Sequence, residues 1–548
     1  MLRIGIDVGG THTDAVLLDG DTIVAWKKAL TSADVLTGIM DALEAILSEH
    51  AGGEDSIEAV MLGTTQFTNA VIERRELSEV AAIRIGRPSG VGLPPKVGWP
   101  DDISRCLGDN VYMIQGGYLY DGWRLAELDD REVDTVIDDL VSRKVEAVAI
   151  SSAFSPMNPE PELAVGRRVR AALPNAHVTL SHKIGRLGLL ERENAALLNT
   201  SLLSFADRVV SSFVDAIRSR GLKCRFFVSQ NDGTLMDARF ARHFPALTFA
   251  SGPTNSLRGA CKLTGLDNAV VVDIGGTTSD VGILRDGFPR ESNVVIEVGG
   301  VRTNFRMPDI LSIGLGGGSL VEQDGNAIGP RSVGHRLVEE GMVFGGDTLT
   351  ATDIVVAGGH AEIGDASLVA GLDPTALSAA TRRISDMLNL GIERMKPSSD
   401  PLPVVLVGGG SILVTEPLAT ASEMLRPEHA GVANAIGAAI AQIGGETERL
   451  VSYEKVPRKD AIRDVTSEAR RLAVSAGADG STLRVADVEE TAVSYMAGNT
   501  TRLRVKVVGE IAGLADRIDT GRTTEPTGEA AVGEFAGLTG EKAARRAS

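Results

Sequence analysis

The octet Asp7-Val-Gly-Gly-Thr-His-Thr-Asp14 recurs as Asp273-Ile-Gly-Gly-Thr-Thr-Ser-Asp280, with Asp, Gly, Gly, Thr and Asp in register. Adjacent glycines accept positive φ and carry no side chain that would block a ligand. The backbone N–H groups of Gly9 and Gly10, and of Gly275 and Gly276, can therefore converge on an anion. The hydroxyls of Thr11 and Thr277 add neutral donors, Thr13 and Thr278 stand beside them, and Asp14 and Asp280 close the octets. Asp7 and Asp273 are the candidates for Mg2+, held through water because that ion dehydrates reluctantly. One Gly-Gly turn is a common hairpin feature. Two copies about half a chain apart can grip a polyphosphate from both sides, and phosphoryl transfer needs little beyond positioning and charge neutralisation. Asp7, Asp273, Thr11 and Thr277 are the expected catalytic groups.

A third glycine segment, Gly408-Gly-Gly-Ser411, follows the apolar run Val404–Val407. Gly408, Gly409, Gly410 and Ser411 would let the backbone approach a flat ring or a ribose closely, which makes them the candidate nucleoside contacts. A dinucleotide-binding reading requires Gly-x-Gly-x-x-Gly leading directly into a helix. After Gly5-Ile-Asp-Val-Gly9 a second strand follows instead, and no P-loop of Walker form is present.

Each octet needs a strand on either side. Leu2–Ile6 and Ala15–Leu18 flank the first, Ala269–Val272 and Val281–Leu284 the second. Apolar spacing predicts helices over Ala33–His50, Glu160–Leu173, Leu189–Asp215 and Asp460–Ala476. Strands are predicted at Ala59–Leu62, Val80–Ile85, Val145–Ser151, Arg225–Ser229 and Val404–Val407, with two more near Ala492–Met496 and Thr501–Val508. Gly86–Pro100 is rich in Gly and Pro and reads as loop. Ala430–Gly445 reads as one buried helix. The fold class is α/β, with expected divisions at 1–185, 186–448, a small α/β unit at 449–519 and a disordered tail at 520–548.

The chain has 548 residues, too many for one ordinary core. A net charge of −18 repels nucleic acid and anionic membrane alike, so neither is an expected partner. Cys106, Cys224 and Cys261 match no metal-ligand spacing, and reduced thiols fit a cytoplasmic location. The start of the chain reads as a strand, not as a signal peptide, and no apolar run is long enough to span a membrane.

Two phosphate hairpins followed by an adenosine-type glycine turn resemble the actin/sugar-kinase/Hsp70 superfamily. That resemblance implies two ribonuclease-H-like lobes closing over ATP and Mg2+. Ser181-His182 with Glu191-Arg192 and Asn199, Ser229-Gln-Asn-Asp-Gly-Thr-Leu-Met236 and the expected turn Ser251-Gly-Pro253 before the second hairpin resemble segments of the hydantoinase A and 5-oxoprolinase family. So do Pro308-Asp309 and Ser312-Ile-Gly-Leu-Gly-Gly-Gly-Ser319. Gly329-Pro-Arg-Ser332 and Gly345-Gly346 keep part of a further family run, whose central PGPxCY is missing. The resemblance implies an ATP-dependent hydrolase of a cyclic amide or imide (hydantoin, oxoproline or lactam-like) that phosphorylates the substrate carbonyl. It also implies a second, hydantoinase B-like subunit and an oligomer. A ketone carboxylase subunit of the acetone or acetophenone type, and a non-catalytic ATP-gated switch, stay open as alternatives.

Overall fold

The computed structural model describes residues 2–9, 12–30, 35–48, 56–120, 122–292, 295–493, 496 and 499–512. The chain divides into two compact units, Met1–Ile443 and Gly444–Ser548. The tail expected from residue 520, and the Gly10-Thr11 pair of the first octet, lie outside the described residues.

The first unit contains two sheets of the same design. In one, the neighbours run Thr234–Asp237, Arg225–Ser229, Ile57–Thr64, Leu2–Val8, His12–Asp19 and Thr22–Leu30. In the other they run Phe288–Pro289, Ser279–Arg285, Ala269–Ile274, Leu402–Val407 and Ala421–Leu425. With inserted elements set aside, each sheet begins with three antiparallel strands. Each then adds two strands parallel to the first, on its far side. This is the ribonuclease-H-like order used twice, so the repeat of the octets is a repeat of whole lobes. The central strands are apolar throughout because both faces are covered: Val270, Val271 and Val272 are fully buried, as are Val404, Val405, Leu406 and Val407.

Between Ile57–Thr64 and Arg225–Ser229 the chain builds a separate parallel sheet, ordered Val111–Gln115, Ala81–Arg87, Ala147–Ser152 and His177–Leu180. Helices Asp130–Ser142 and Glu160–Ala172 belong to this insert. The first is started by Asp129, whose side chain accepts from the N–H groups of Arg131 (2.9 Å) and Glu132 (3.4 Å), as N-capping requires. The predicted long helix runs from Leu189 to Ser219.

Two expectations change. Ser251-Gly-Pro253 opens a helix, Ser251–Thr264. The segment read as one helix to Gly445 is helical over Ala433–Ala439 and then enters a strand, Gln442–Ser452. Strand pairing wins there: Gln442 and Ile443 align in parallel with Thr234 and Leu235.

Helices Ser251–Thr264 and Ala433–Ala439 cross in very close contact. A Cβ on Gly437 would lie 1.8 Å from the Asn255 carbonyl oxygen, and one on Gly259 would lie 2.0 Å from that of Ala433. Backbone therefore packs on backbone at this crossing, and only glycine permits it.

In the second unit, helix Arg458–Ser475 packs on strand Thr500–Gly509 through Ala461, Val465, Ala469 and Ala473. That strand pairs antiparallel with Arg484–Ala492, which lies earlier than the strand expected near Ala492–Met496.

Candidate nucleotide site

Both octets form hairpin turns with matching geometry. In the first, Asp7 lies opposite Asp14 and Gly9 N–H donates to the His12 carbonyl at 3.0 Å. In the second, Asp273 lies opposite Asp280 and Gly275 N–H donates to the Thr278 carbonyl at 2.9 Å. Thr277 and Thr278 are exposed at the second turn, and Gly9 and His12 are half-buried at the first. Thr13 is fully buried within its strand.

The second turn is held from behind. Gly317 and Gly318 donate their N–H groups to the carbonyls of Gly275 (3.0 Å) and Gly276 (2.7 Å). Ser279 Oγ donates to the Leu315 carbonyl at 2.7 Å. The glycine-rich run ending at Ser319 therefore buttresses the second hairpin.

The Gly408 turn meets the same hairpin. Val407 pairs with Asp273, so the next residue emerges beside that carboxylate. Gly408 has φ +81° and ψ 159°, and a Cβ there would lie 2.3 Å from Asp273 Oδ1. Gly409 is exposed, whereas Gly410 and Ser411 are buried. Ser411 is anchored by its carbonyl, which accepts from Arg426 Nη2 at 2.8 Å.

The two hairpins are joined by a short hydrogen-bonded bridge. Asn434 Nδ2 donates to Asp7 Oδ2 at 3.3 Å, and Asn255 Nδ2 reaches Asp7 Oδ1 at 3.5 Å. Asn434 Oδ1 lies 2.8 Å from the Ser256 hydroxyl, whose single proton is shared between that oxygen and Asp273 Oδ2. Two side chains thus separate the inner carboxylate of one lobe from that of the other. Both come from the crossing helices.

Charge in this cluster is poorly balanced. Burial pushes the Asp7 carboxyl up to about 7, helped by the charges of Asp14 and Asp273 and opposed by the two amides. Burial likewise pushes Asp280 up to about 6, with Asp273 adding to the effect and Ser312 opposing it. Asp273 and Asp14 are also raised by burial; Ser256 opposes this at Asp273 and Lys28 at Asp14. Lys28 Nζ binds both oxygens of Asp14, at 2.9 and 3.0 Å, and the Gly431 carbonyl at 3.0 Å. Burial, then Lys28, lowers His12 below the ordinary imidazole range.

The donor set fits a hydrated divalent cation. Among the described residues, Asp7 and Asp273 meet neutral side-chain donors, and buried carboxylates so weakly paired call for positive charge. No three His, Cys, Asp or Glu side chains among the described residues gather as direct metal ligands.

Sequence reasoning missed Asn255, Ser256, Asn434 and Lys28. Asn434 had a signal: it is the one polar side chain in Ala433–Ala439. Asn231 of the Ser229–Met236 segment has a supporting task, accepting from Ala250 N–H at 2.7 Å where helix Ser251–Thr264 begins. Ser181, His182 and Arg192 lie elsewhere, around the fully buried Glu162; His182 Nδ1 is 2.6 Å from its carboxylate.

Comparison with known proteins agrees with this arrangement. Residues 3–173 match the model of the hydantoinase/oxoprolinase N-terminal region, and residues 192–396 match that of hydantoinase/oxoprolinase. The chain is 27% identical over 431 residues to caprolactamase subunit alpha of Pseudomonas jessenii, covering 72% of this chain and 60% of that one. It is 26% identical over 437 residues to the acetophenone carboxylase gamma subunit of Aromatoleum aromaticum, covering 72% and 58%. The chain thus spans less than two thirds of the length of either relative. The crystal structure of the ATP-dependent caprolactamase from Pseudomonas jessenii aligns with TM-score 0.74 at 19% identity, over 93% of this chain and 88% of that one. At that identity the likeness establishes the fold. No helix among the described residues is long and apolar enough to cross a membrane.

Proposed function

We propose, from the premise that the chain belongs to the hydantoinase/oxoprolinase family, that it is the ATP-binding subunit of an enzyme that activates a cyclic amide or imide by phosphorylating its carbonyl oxygen. The observation that carries this reading is the bridge from Asp7 through Asn434 and Ser256 to Asp273, with Gly408 against the same carboxylate. It brings both phosphate hairpins and the nucleoside turn to one place.

In this reading, backbone N–H groups of the two turns and the Thr277 hydroxyl orient the β- and γ-phosphates. Asp7 and Asp273 would hold Mg2+ through water, and the ion would neutralise phosphate charge when bound. The substrate carbonyl oxygen attacks the γ-phosphorus, the bond to the β-phosphate oxygen breaks, and ADP leaves with that electron pair. With loss of the ring N–H proton to solvent the product is an imidate phosphate, which water can open where the unactivated amide resists it. A second subunit would supply the hydrolytic half, since the relatives named above are themselves subunits.

The 26% identity to an acetophenone carboxylase subunit favours a second reading, in which a ketone enol or bicarbonate is phosphorylated. One experiment separates the two. ADP release is measured with hydantoins, lactams, 5-oxoproline, and ketones with bicarbonate, with and without the protein encoded beside this one. Stimulation by an N–H cyclic amide is expected. Stimulation by ketone and bicarbonate alone would transfer the assignment to carboxylation. ATP binding without stimulation by any substrate would leave a switch in place of an enzyme.

A further inference from the structure

We infer that Asn434 and Ser256 act as one positioning unit that fixes the distance between the carboxylates of Asp7 and Asp273, and thereby the pitch of the two phosphate hairpins. The inference rests on the nucleotide reading above and gives the two bridging residues a task of their own.

Two negative groups from different lobes repel, and among the described residues of the two hairpins none bridges them. The planar amide of Asn434 does so from the side. Its nitrogen donates to Asp7 while its oxygen faces Ser256, which in turn contacts Asp273. An amide of this kind is a rigid spacer, because donor and acceptor lie at a fixed separation on one plane.

The supports of the spacer are rigid too. Asn434 stands on helix Ala433–Ala439, and Ser256 stands on helix Ser251–Thr264. These helices touch backbone to backbone at Gly437 and Gly259, and sliding one along the other would drive main-chain atoms together. Ser256 and Asn255 are fully buried, so their rotamers are set by packing. The inner carboxylates are tied to this crossing by the contacts of Asn434 and Ser256. Nucleotide and metal then meet a preset pair of anchors instead of assembling them, which lowers the ordering cost of binding.

The test uses the full chain and four variants: Asn434→Ala, Ser256→Ala, the double variant, and Ser256→Thr, which keeps the hydroxyl. ATP binding is followed by calorimetry across a Mg2+ series, and ADP release is followed over the same series. Each alanine variant is expected to raise the half-saturating Mg2+ concentration by about 10-fold, the effect of losing a hydrogen bond to a charged group. ATP affinity without Mg2+ should change far less. A single unit broken once is already broken, so the double variant should be no worse than the poorer single one. Ser256→Thr should restore most of the loss.

Additive effects of the two alanine changes, or wild-type Mg2+ dependence in either, would overturn the inference while leaving nucleotide binding intact. Failure of the wild-type chain to bind ATP at any Mg2+ concentration would overturn the nucleotide reading, and this inference with it. If Asn434→Ala does not fold, Ser256→Ala against Ser256→Thr decides the matter alone.

Discussion

Replacing Gly408 by alanine tests whether the nucleoside turn and the second phosphate hairpin form one structure. With φ +81° and ψ 159°, Gly408 lies in a region open to glycine alone, and forcing another residue there costs on the order of 1–3 kcal/mol. The new Cβ would also lie 2.3 Å from Asp273 Oδ1 and 2.4 Å from the Ile274 carbonyl oxygen. Overpacking of this kind adds about 1–3 kcal/mol, for a combined loss of roughly 2–6 kcal/mol. The carbonyl belongs to a central strand and cannot yield, so the carboxylate must turn away and lose Ser256. Stability and function should therefore fail together. Gly409→Ala is the control for stability: its Cβ meets nothing within 4 Å, and a change below about 0.5 kcal/mol in unfolding is expected. Urea unfolding is measured on both, and ATP binding in the presence of Mg2+ on Gly408→Ala against the unaltered chain. If Gly408→Ala unfolds like Gly409→Ala and binds ATP like the unaltered chain, Gly408 does not press on Asp273 and the turn is no part of the site.

Three further outcomes follow from the charges. Asp7 near 7 and Asp280 near 6 hold protons in the folded chain that the unfolded chain has lost. The stability they supply is complete below the ordinary aspartate range and is lost as pH rises from there to 6 and 7, so the thermal midpoint of the nucleotide-free chain should fall between about pH 4 and pH 7 and level off above. Asp7→Asn should flatten the upper part of that fall, and an unchanged slope would contradict the assignment. Lys28→Met should cost about 1–3 kcal/mol at pH 8 and less as the pH is lowered, because burial holds the Asp14 carboxyl above its ordinary range; a loss independent of pH would show that the ion pair is not what Lys28 contributes. In the inserted sheet, Arg84 is 1% exposed and pairs with Glu193, itself held by Ser151 Oγ at 2.7 Å. Glu193→Ala should cost about 3–5 kcal/mol by urea unfolding, and Arg84→Met with Glu193→Leu much less, because the double change strands no charge.

The lobes were legible because their cause is local. An apolar run, a Gly-Gly turn and a second apolar run state a hairpin in one short stretch, and the second copy states the duplication. Long amphipathic helices such as Leu189–Ser219 are equally local in origin. The helix at Ser251 was hidden, since Ser-Gly-Pro reads as a turn and its start is fixed by Asn231, 19 residues earlier. The strand from Gln442 was hidden for a similar reason, because a run of small apolar residues suits either state until a partner such as Thr234–Asp237 is known. The site follows the same division. Asp7, Asp273 and the glycine turns carry their chemistry in their spacing. Asn434 acts on an aspartate 427 residues away, and no spacing rule reaches across a lobe boundary; Lys28 faces Asp14 only once the register of two adjacent strands is known.

The duplication left the two halves alike in backbone and unlike in charge, and this has a mechanistic consequence. Asp14 and Asp280 are equivalent in the repeat, each opposite the inner aspartate of its hairpin. Asp14 is bound by the Lys28 ammonium, whereas Asp280 accepts from the neutral Ser312 hydroxyl. Lys28 also reaches the Gly431 carbonyl, beside the helix that carries Asn434, so the compensated half is tied to the crossing. The uncompensated charge then lies toward the second hairpin, whose turn is buttressed from behind by Gly317 and Gly318. A lobe braced in backbone yet short of positive charge is the half to which an incoming cation would contribute most. Removing the carboxylate of Asp280 should therefore weaken Mg2+ dependence more than the matching change at Asp14, and the reverse order would show that Lys28 does not distinguish the lobes.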